Sequence, residues 1–315
     1  MHFRSLLFGL FFTLLFINNT SAFQSNSEVG VLVLAHGSMD KTWNLAIEEA
    51  VEPVRDQHPV EIAWGMANAL NMQPALEKLD AKGVGHIVVV QLFVSSYSPI
   101  IRQNEYLLGF RDSLADAPMP MMIHDMKNKR MTMKMPENLQ PLNVNAKIVI
   151  TDPLDDHDLV AEILHERIQA LSEQPENETV LLVAHGPNQE ADNDKWVATL
   201  ENLGQKIQRL QSTNGTMYSN MVSLTVRDDA DEEIHEKARL AFRAQVQKAD
   251  DEGTAIVIPV LLASGGVEKK YVQRLEGLNY KWSGETLLPH VNIQHFIKKR
   301  VEEGLSEINQ RSSVN

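Results

Sequence analysis

The sequence predicts an α/β protein built as two tandem domains, each a parallel sheet flanked by helices on both faces. Three observations carry this. An apolar run at 31–35 ends in His36-Gly37-Ser38, and the same unit returns at 180–187 as Val-Leu-Leu-Val-Ala-His-Gly-Pro. Runs of branched apolar residues closed by a polar loop read as central parallel strands buried on both faces. Segments of helical period alternate with such runs, as βα units require. Four landmarks then recur in the same order in both halves, which is the mark of a duplication.

Residues 1–22 stand outside this plan. Arg4 precedes a dozen apolar residues, and Asn18-Asn19-Thr20-Ser21-Ala22 supplies a small-residue cleavage site. This is the layout of an export leader, too short for a confident membrane span. Cleavage after Ala22 is expected, giving an exported, periplasmic protein that is not an integral membrane protein once the leader is gone. The full chain is globular in composition, with 43% hydrophobic and 23% charged residues, and acidic, with a formal net charge of −13 that becomes −14 when Arg4 leaves with the leader. An acidic exported chain lacks the Lys/Arg surface that nucleic acid requires. There are no cysteines, so stability rests on the two cores rather than on disulfides, and thiolate metal sites are excluded.

The first domain is placed at 28–172. After the strand ending at His36, residues 43–54 carry apolar positions at helical spacing, and 60–65 reads as a short strand. Pro74 is expected in the first turn of a helix running to 81. His86 opens the buried strand 86–94, which discharges into Ser95-Ser96-Tyr97-Ser98-Pro99, and 101–108 is helical. A last strand at 146–151 leads through Asp152-Pro153-Leu154 to an amphipathic helix at 158–171.

Residues 119–135 interrupt this order. They hold seven of the thirteen methionines, with His124 and the basic residues Lys127, Lys129, Arg130 and Lys134. Thioethers and imidazole are soft ligands suited to Cu(I). Methionine equally suits a flexible apolar flap, and both readings stay open at this point.

A polar linker at 172–178 precedes the second domain, 178–310. Strand 179–184 meets His185, and a helix from Lys195-Trp196 to Leu210 follows. Strand 221–226 leads to Asp228-Asp229 and a helix over 231–248. Strand 255–262 discharges into Ala263-Ser264-Gly265-Gly266-Val267, and Leu287-Leu288-Pro289-His290 precedes a final helix at 293–308.

The strand ending in Ala-His-Gly-Ser, the later strand ending in a Ser/Gly-rich loop and the proline turn before the last helix resemble the sirohydrochlorin cobaltochelatases, which are class II tetrapyrrole chelatases. The resemblance spans both halves. It implies two chelatase-like domains with a tetrapyrrole substrate held between them and a divalent metal, Co²⁺ or else Fe²⁺ or Ni²⁺, as the second substrate, as in cobalamin biosynthesis. His36 would match the histidine that binds metal and accepts a pyrrole proton, with His185 as its duplicate. The family's second histidine has no counterpart, since Pro99 and Val267 stand where it is expected. Asp228, Asp229 and Glu268 are candidate replacement ligands. Ser96, Tyr97, Gly265 and Gly266 line the expected ring site, and Arg102 is placed to pair with ring carboxylates.

Plainer roles accompany each assignment. A histidine before glycine at a strand end can satisfy loop carbonyls or cap a helix, and Asp228-Asp229 suits a helix N-terminus. Glu268 suits a solvated helix start, and His157 and His290 suit packing or capping in matched turns. Two functions therefore follow: a chelatase, or a non-catalytic exported protein that binds metal or tetrapyrrole on the same fold.

Overall fold

The computed structural model describes residues 28–114, 118–125, 130–136 and 138–313; the expected export leader lies outside them. The first half runs β1 (Val29–Ala35), α1 (Lys41–Arg55), β2 (Val60–Trp64), α2 (Ala69–Ala81), β3 (His86–Leu92), α3 (Pro99–Leu107), the pair β4 (Met121–Asp125) and β5 (Arg130–Lys134), β6 (Lys147–Ile150) and α4 (Asp158–Gln169). The second runs β7 (Glu178–Ala184), α5 (Glu190–Ser212), β8 (Asn220–Thr225), α6 (Glu232–Glu252), β9 (Thr254–Val260), α7 (Val267–Arg274) and α8 (Val291–Ser313).

Two parallel sheets result, ordered β2-β1-β3-β6 and β8-β7-β9. The duplication is visible in the register: Ala35 pairs with Trp64 and Leu92, and Ala184 with Thr225 and Val260. The second half lacks a regular fourth strand among the described residues. Lys281 bridges Ile256 in the place that β6 occupies in the first half. Leu287 and Leu288 donate backbone hydrogen bonds to Leu261 and Leu262 (2.9 and 2.8 Å), as Leu154 and Asp155 do to Phe93 and Val94. Val31, Leu32 and Val33, like Val180, Leu181 and Leu182, are wholly buried because helices cover both faces.

Four details differ from the sequence reading. Pro74 lies inside α2, since Asn68 caps the helix earlier by accepting the N–H of Leu70. The helix after His185 begins at Glu190, earlier than the Lys195-Trp196 expected. The methionine-rich stretch contains an antiparallel strand pair, which its sparse β-branched content hides. The linker is a tight knot: Glu178 is buried and accepts from Ser172 Oγ (2.5 Å) and from the N–H groups of Glu173 and Gln174 (2.9 and 3.3 Å).

The larger difference concerns the expectation of two separate cores. The last helix of each half packs on the other half. α4 lies against α5 and β9, while α8 lies against β3, β6 and α1. A side chain at Gly304 would sit 2.5 Å from Val88 Cγ1, so glycine lets α8 come down onto β3. The two exchanged helices also meet: His290 Nε2 lies 2.8 Å from Glu166 Oε2, and Asn292 Nδ2 donates to Glu162 Oε2 (2.8 Å). One hydrophobic core therefore runs through the inner faces of both sheets, from Val31 and Val88 to Val180 and Ile256. Two smaller clusters lie under α2 and α6 on the outer faces.

Candidate functional site

The carboxyl ends of β1 and β7 carry His36 and His185 in the same geometry. His36 Nδ1 lies 2.7 Å from the carbonyl of Gly37, and His185 Nδ1 lies 2.9 Å from that of Gly186. A carbonyl only accepts, so each neutral imidazole holds its proton on Nδ1, which makes Nε2 its basic nitrogen. The following glycines adopt φ +74° and +76°, and a side chain at Gly186 would lie 2.5 Å from Thr225 Cβ. The His-Gly pair thus belongs to a tight turn pressed against the end of the neighbouring strand. Trp43, from α1, stands edge-on to His36 at 6.3 Å between ring centroids.

The loops after β3 and β9 each reach the other half. Trp196 Nε1 on α5 donates to the carbonyl of Tyr97 (2.6 Å), and Lys195 lies over the Tyr97 ring at 5.1 Å. Arg102 donates twice to Asp192, at 3.1 and 2.7 Å. On the opposite side, Gly265 packs beside Trp43 and Ser38, and the contact is close enough that an added Cβ would lie 3.2 Å from Trp43 Cδ1. The loops at the carboxyl ends of the two sheets therefore each meet the other half, at the strand ends where open α/β sheets bind their ligands.

Several expected site residues are committed elsewhere. Arg102 is held by Asp192, itself 5% exposed, and so is not poised for ring carboxylates. Ser96 donates through its N–H and Oγ to Asp155 (2.8 and 2.5 Å). Glu268 accepts from Ser264 Oγ (2.8 Å) and from the N–H groups of Gly265 and Gly266. Partial burial would raise its pKa, but those hydrogen bonds outweigh burial and hold it below the usual carboxylate range. Glu268, in the first turn of α7, takes the N–H groups of Gly265 and Gly266, the two glycines expected at the ring site.

Asp228 is also corrected as a surface metal ligand. Its side chain is 2% exposed and paired with Arg274, and its Oδ2 has no partner among the described residues. Asp229 meets a strand-end histidine, its Oδ2 lying 3.4 Å from His185 Nε2 on an open surface, whereas Asp228 Oδ1 lies 3.9 Å from His235 Nε2. Tyr97 keeps 38% exposure. No group of three or more histidine or acidic side chains is arranged to hold a metal among the described residues. None of the described helices is long and apolar enough to cross a membrane.

Sequence reasoning missed Asp192, Trp43, Trp196 and Arg227. Arg227 is buried at φ +50° and clamps the loop after His185 through the carbonyls of Pro187 (3.1 Å) and Asn188 (2.5 Å) and through Glu190 (2.5 Å). The doubled tryptophan after each His-Gly was the available signal.

The CbiX family model matches residues 30–171, from the first strand through α4. Those residues form a CbiX-family domain. The whole architecture is similar to SirB from Bacillus subtilis with Fe³⁺, at 16% identity over 88% of this chain and 95% of that one, with a TM-score of 0.58. It is also similar to the sirohydrochlorin chelatase SirB from Bacillus subtilis subspecies spizizenii in complex with cobalt, at 14% identity, the same coverage and a TM-score of 0.54. A multi-domain protein from Deinococcus radiodurans with structural similarity to chelatases matches at 14% identity and a TM-score of 0.50, over 88% of this chain and 55% of its own. At such identities the likeness establishes a shared two-lobed chelatase fold. No curated protein sequence matches the chain.

Proposed function

We propose that this CbiX-domain protein acts as a sirohydrochlorin chelatase-type enzyme, inserting a divalent metal, Co²⁺ or else Fe²⁺ or Ni²⁺, into a tetrapyrrole held between its halves. The observation that carries the reading is the pair of strand-end histidines whose Nδ1–H faces a glycine carbonyl. Metal entry displaces two pyrrole N–H protons from the ring, so the site needs a ligand for the ion and a base for the protons. An imidazole with a basic Nε2 serves either role near neutral pH. Tyr97, 38% exposed, supplies aromatic surface in the loop after β3, and the buried Trp43 backs His36. The export leader supports a periplasmic setting for this chemistry.

The test is metallation of sirohydrochlorin by Co²⁺, followed through the ring's visible absorption. His36→Ala or His185→Ala should slow it by about 10²-fold or more, the usual scale for losing an acid–base group. Equal rates in both variants and in the double variant would exclude the assignment. A second reading, binding without turnover, is favoured by Pro99 and Val267 at the second-histidine positions and by the internal commitments of Asp228 and Glu268. Stoichiometric ring binding with no metallation at any metal concentration would select it.

A further inference from the structure

Asp155 is a half-buried carboxylate that the chemistry proposed above does not use. It sits in the turn between β6 and α4 at φ +42°, in the left-handed region. A residue with a Cβ is strained there, where glycine would be free. A turn that needed only this backbone shape would be better served by glycine, so the side chain has to account for the aspartate.

That side chain serves the loop after β3. The N–H of Asp155 donates to the carbonyl of Val94 (3.0 Å). Its carboxylate then accepts from the N–H (2.8 Å) and Oγ (2.5 Å) of Ser96, two residues beyond Val94. Hydrogen bonds to an ionised acceptor are among the strong ones. The next residue, Tyr97, gives its carbonyl to Trp196 Nε1 of α5 (2.6 Å). Two neighbouring residues of the loop are thus fastened, one to the β6–α4 turn and one to the other half.

The second half supplies a comparison. Leu288 N–H donates to the carbonyl of Leu262 (2.8 Å), as Asp155 does to Val94, and Ser264 follows Leu262 by two residues, as Ser96 follows Val94. Leucine cannot hold a hydroxyl. Ser264 Oγ donates instead to Glu268 (2.8 Å), in the first turn of the loop's own helix α7. Both loops therefore tie a serine hydroxyl to a carboxylate. The first loop's tie crosses to another element of the fold, whereas the second's stays within the segment that the loop itself begins.

We propose that Asp155 is a positioning residue of the ring site: through Ser96 it fixes the course of loop 95–99, and with it Tyr97, without itself touching the ring. The latch stands on the contacts above, and its service to a tetrapyrrole rests on the chelatase reading.

Asp155→Gly separates the side chain from the turn, because glycine takes the left-handed backbone freely. In ¹H–¹⁵N spectra of the protein without metal or ring, the indole N–H signal of Trp196, assigned through Trp196→Phe, should move upfield and exchange faster with solvent in Asp155→Gly. The Trp282 indole should stay in place. Asp155→Asn, which keeps an acceptor oxygen, should restore the wild-type position. Titrated with metal-free sirohydrochlorin, Asp155→Gly should bind about tenfold more weakly, the scale of a lost charge-assisted hydrogen bond, and Asp155→Asn should recover most of that loss. Ser96→Ala should weaken binding in the wild-type background and add nothing in Asp155→Gly, the non-additivity expected of direct partners. An unmoved Trp196 signal in Asp155→Gly would overturn the latch, whatever the ring does. A moved signal with unchanged ring affinity, or a further loss from Ser96→Ala in Asp155→Gly, would overturn the positioning role. A wild type that binds no sirohydrochlorin would overturn the chelatase reading and the ring-binding role with it, and the indole signal would still decide the latch.

Discussion

Four histidines in two matched pairs use their ring nitrogens in opposite ways. His157 and His290 each accept, through Nδ1, the N–H two residues ahead, from Leu159 and Asn292 (3.1 Å in both). They cap α4 and α8, so their proton must sit on Nε2. His36 and His185 hold theirs on Nδ1, facing the next residue's carbonyl. Local partners thus set the tautomer that separates a structural pair from a candidate catalytic pair. Burial pushes the pKa of His157 below the ordinary 6.5, helped by Lys299 and Arg300 and opposed by Asp158 and Glu303. A lowered folded value means that the unfolded chain binds the proton more readily. The stability from His157 is therefore complete above the unfolded pKa and is lost as pH falls through the lowered one. His157→Asn keeps a capping side chain that does not titrate. Urea unfolding at pH 7 and pH 5 should show a smaller acid-induced loss in this variant than in the wild type; equal losses would remove His157 from the account.

At the scale of elements, α5 fastens the first half's cleft loop through Asp192 on Arg102 and Trp196 on Tyr97. Removing one partner of a buried ion pair costs about 3–5 kcal/mol, and the 16% exposure of the Arg102 side chain places this pair toward or below the lower bound. Arg102→Met should therefore lower the urea midpoint clearly. Arg102→Met with Asp192→Leu should recover most of the loss, because no carboxylate is then left uncompensated. A double variant as unstable as the single would show that the pair contributes through packing instead. This latch also marks where the sequence stops being legible. Strand ends, their histidines and the matched turns that hold His157 and His290 are readable because the pattern and its cause lie within a few residues. Arg102 looks available for a ligand because its partner lies 90 residues away. Asp228 looks like a surface ligand because Arg274, which buries it, is 46 residues on. The hairpin is hidden for another reason: its residues are poor strand formers, and only pairing reveals their alternation.

For the whole molecule, exchange of α4 and α8 makes the duplication one folding unit. An amphipathic helix shows in its sequence that one side must be covered, but not which sheet covers it, so the swap is invisible in the pattern that reveals the helices. Ile293, Phe296 and Ile297 are fully buried and Val301 is 3% exposed, within the core shared by both halves. At about 1.5–3 kcal/mol for each buried large apolar side chain, these four rival the ~5–15 kcal/mol net stability of a typical protein. The first half should consequently be unable to fold without the last helix of the second. Trp43 and Trp64 report on the first half, and Trp196 and Trp282 on the second. In variants that keep only Trp64 or only Trp282, with phenylalanine at the other three positions, the two urea transitions should coincide in midpoint and slope. Deleting residues 291–315 should abolish the Trp64 transition, although Trp64 lies more than two hundred residues from the cut. Two separated transitions, or a Trp64 signal indifferent to the deletion, would mean that the halves fold as independent domains.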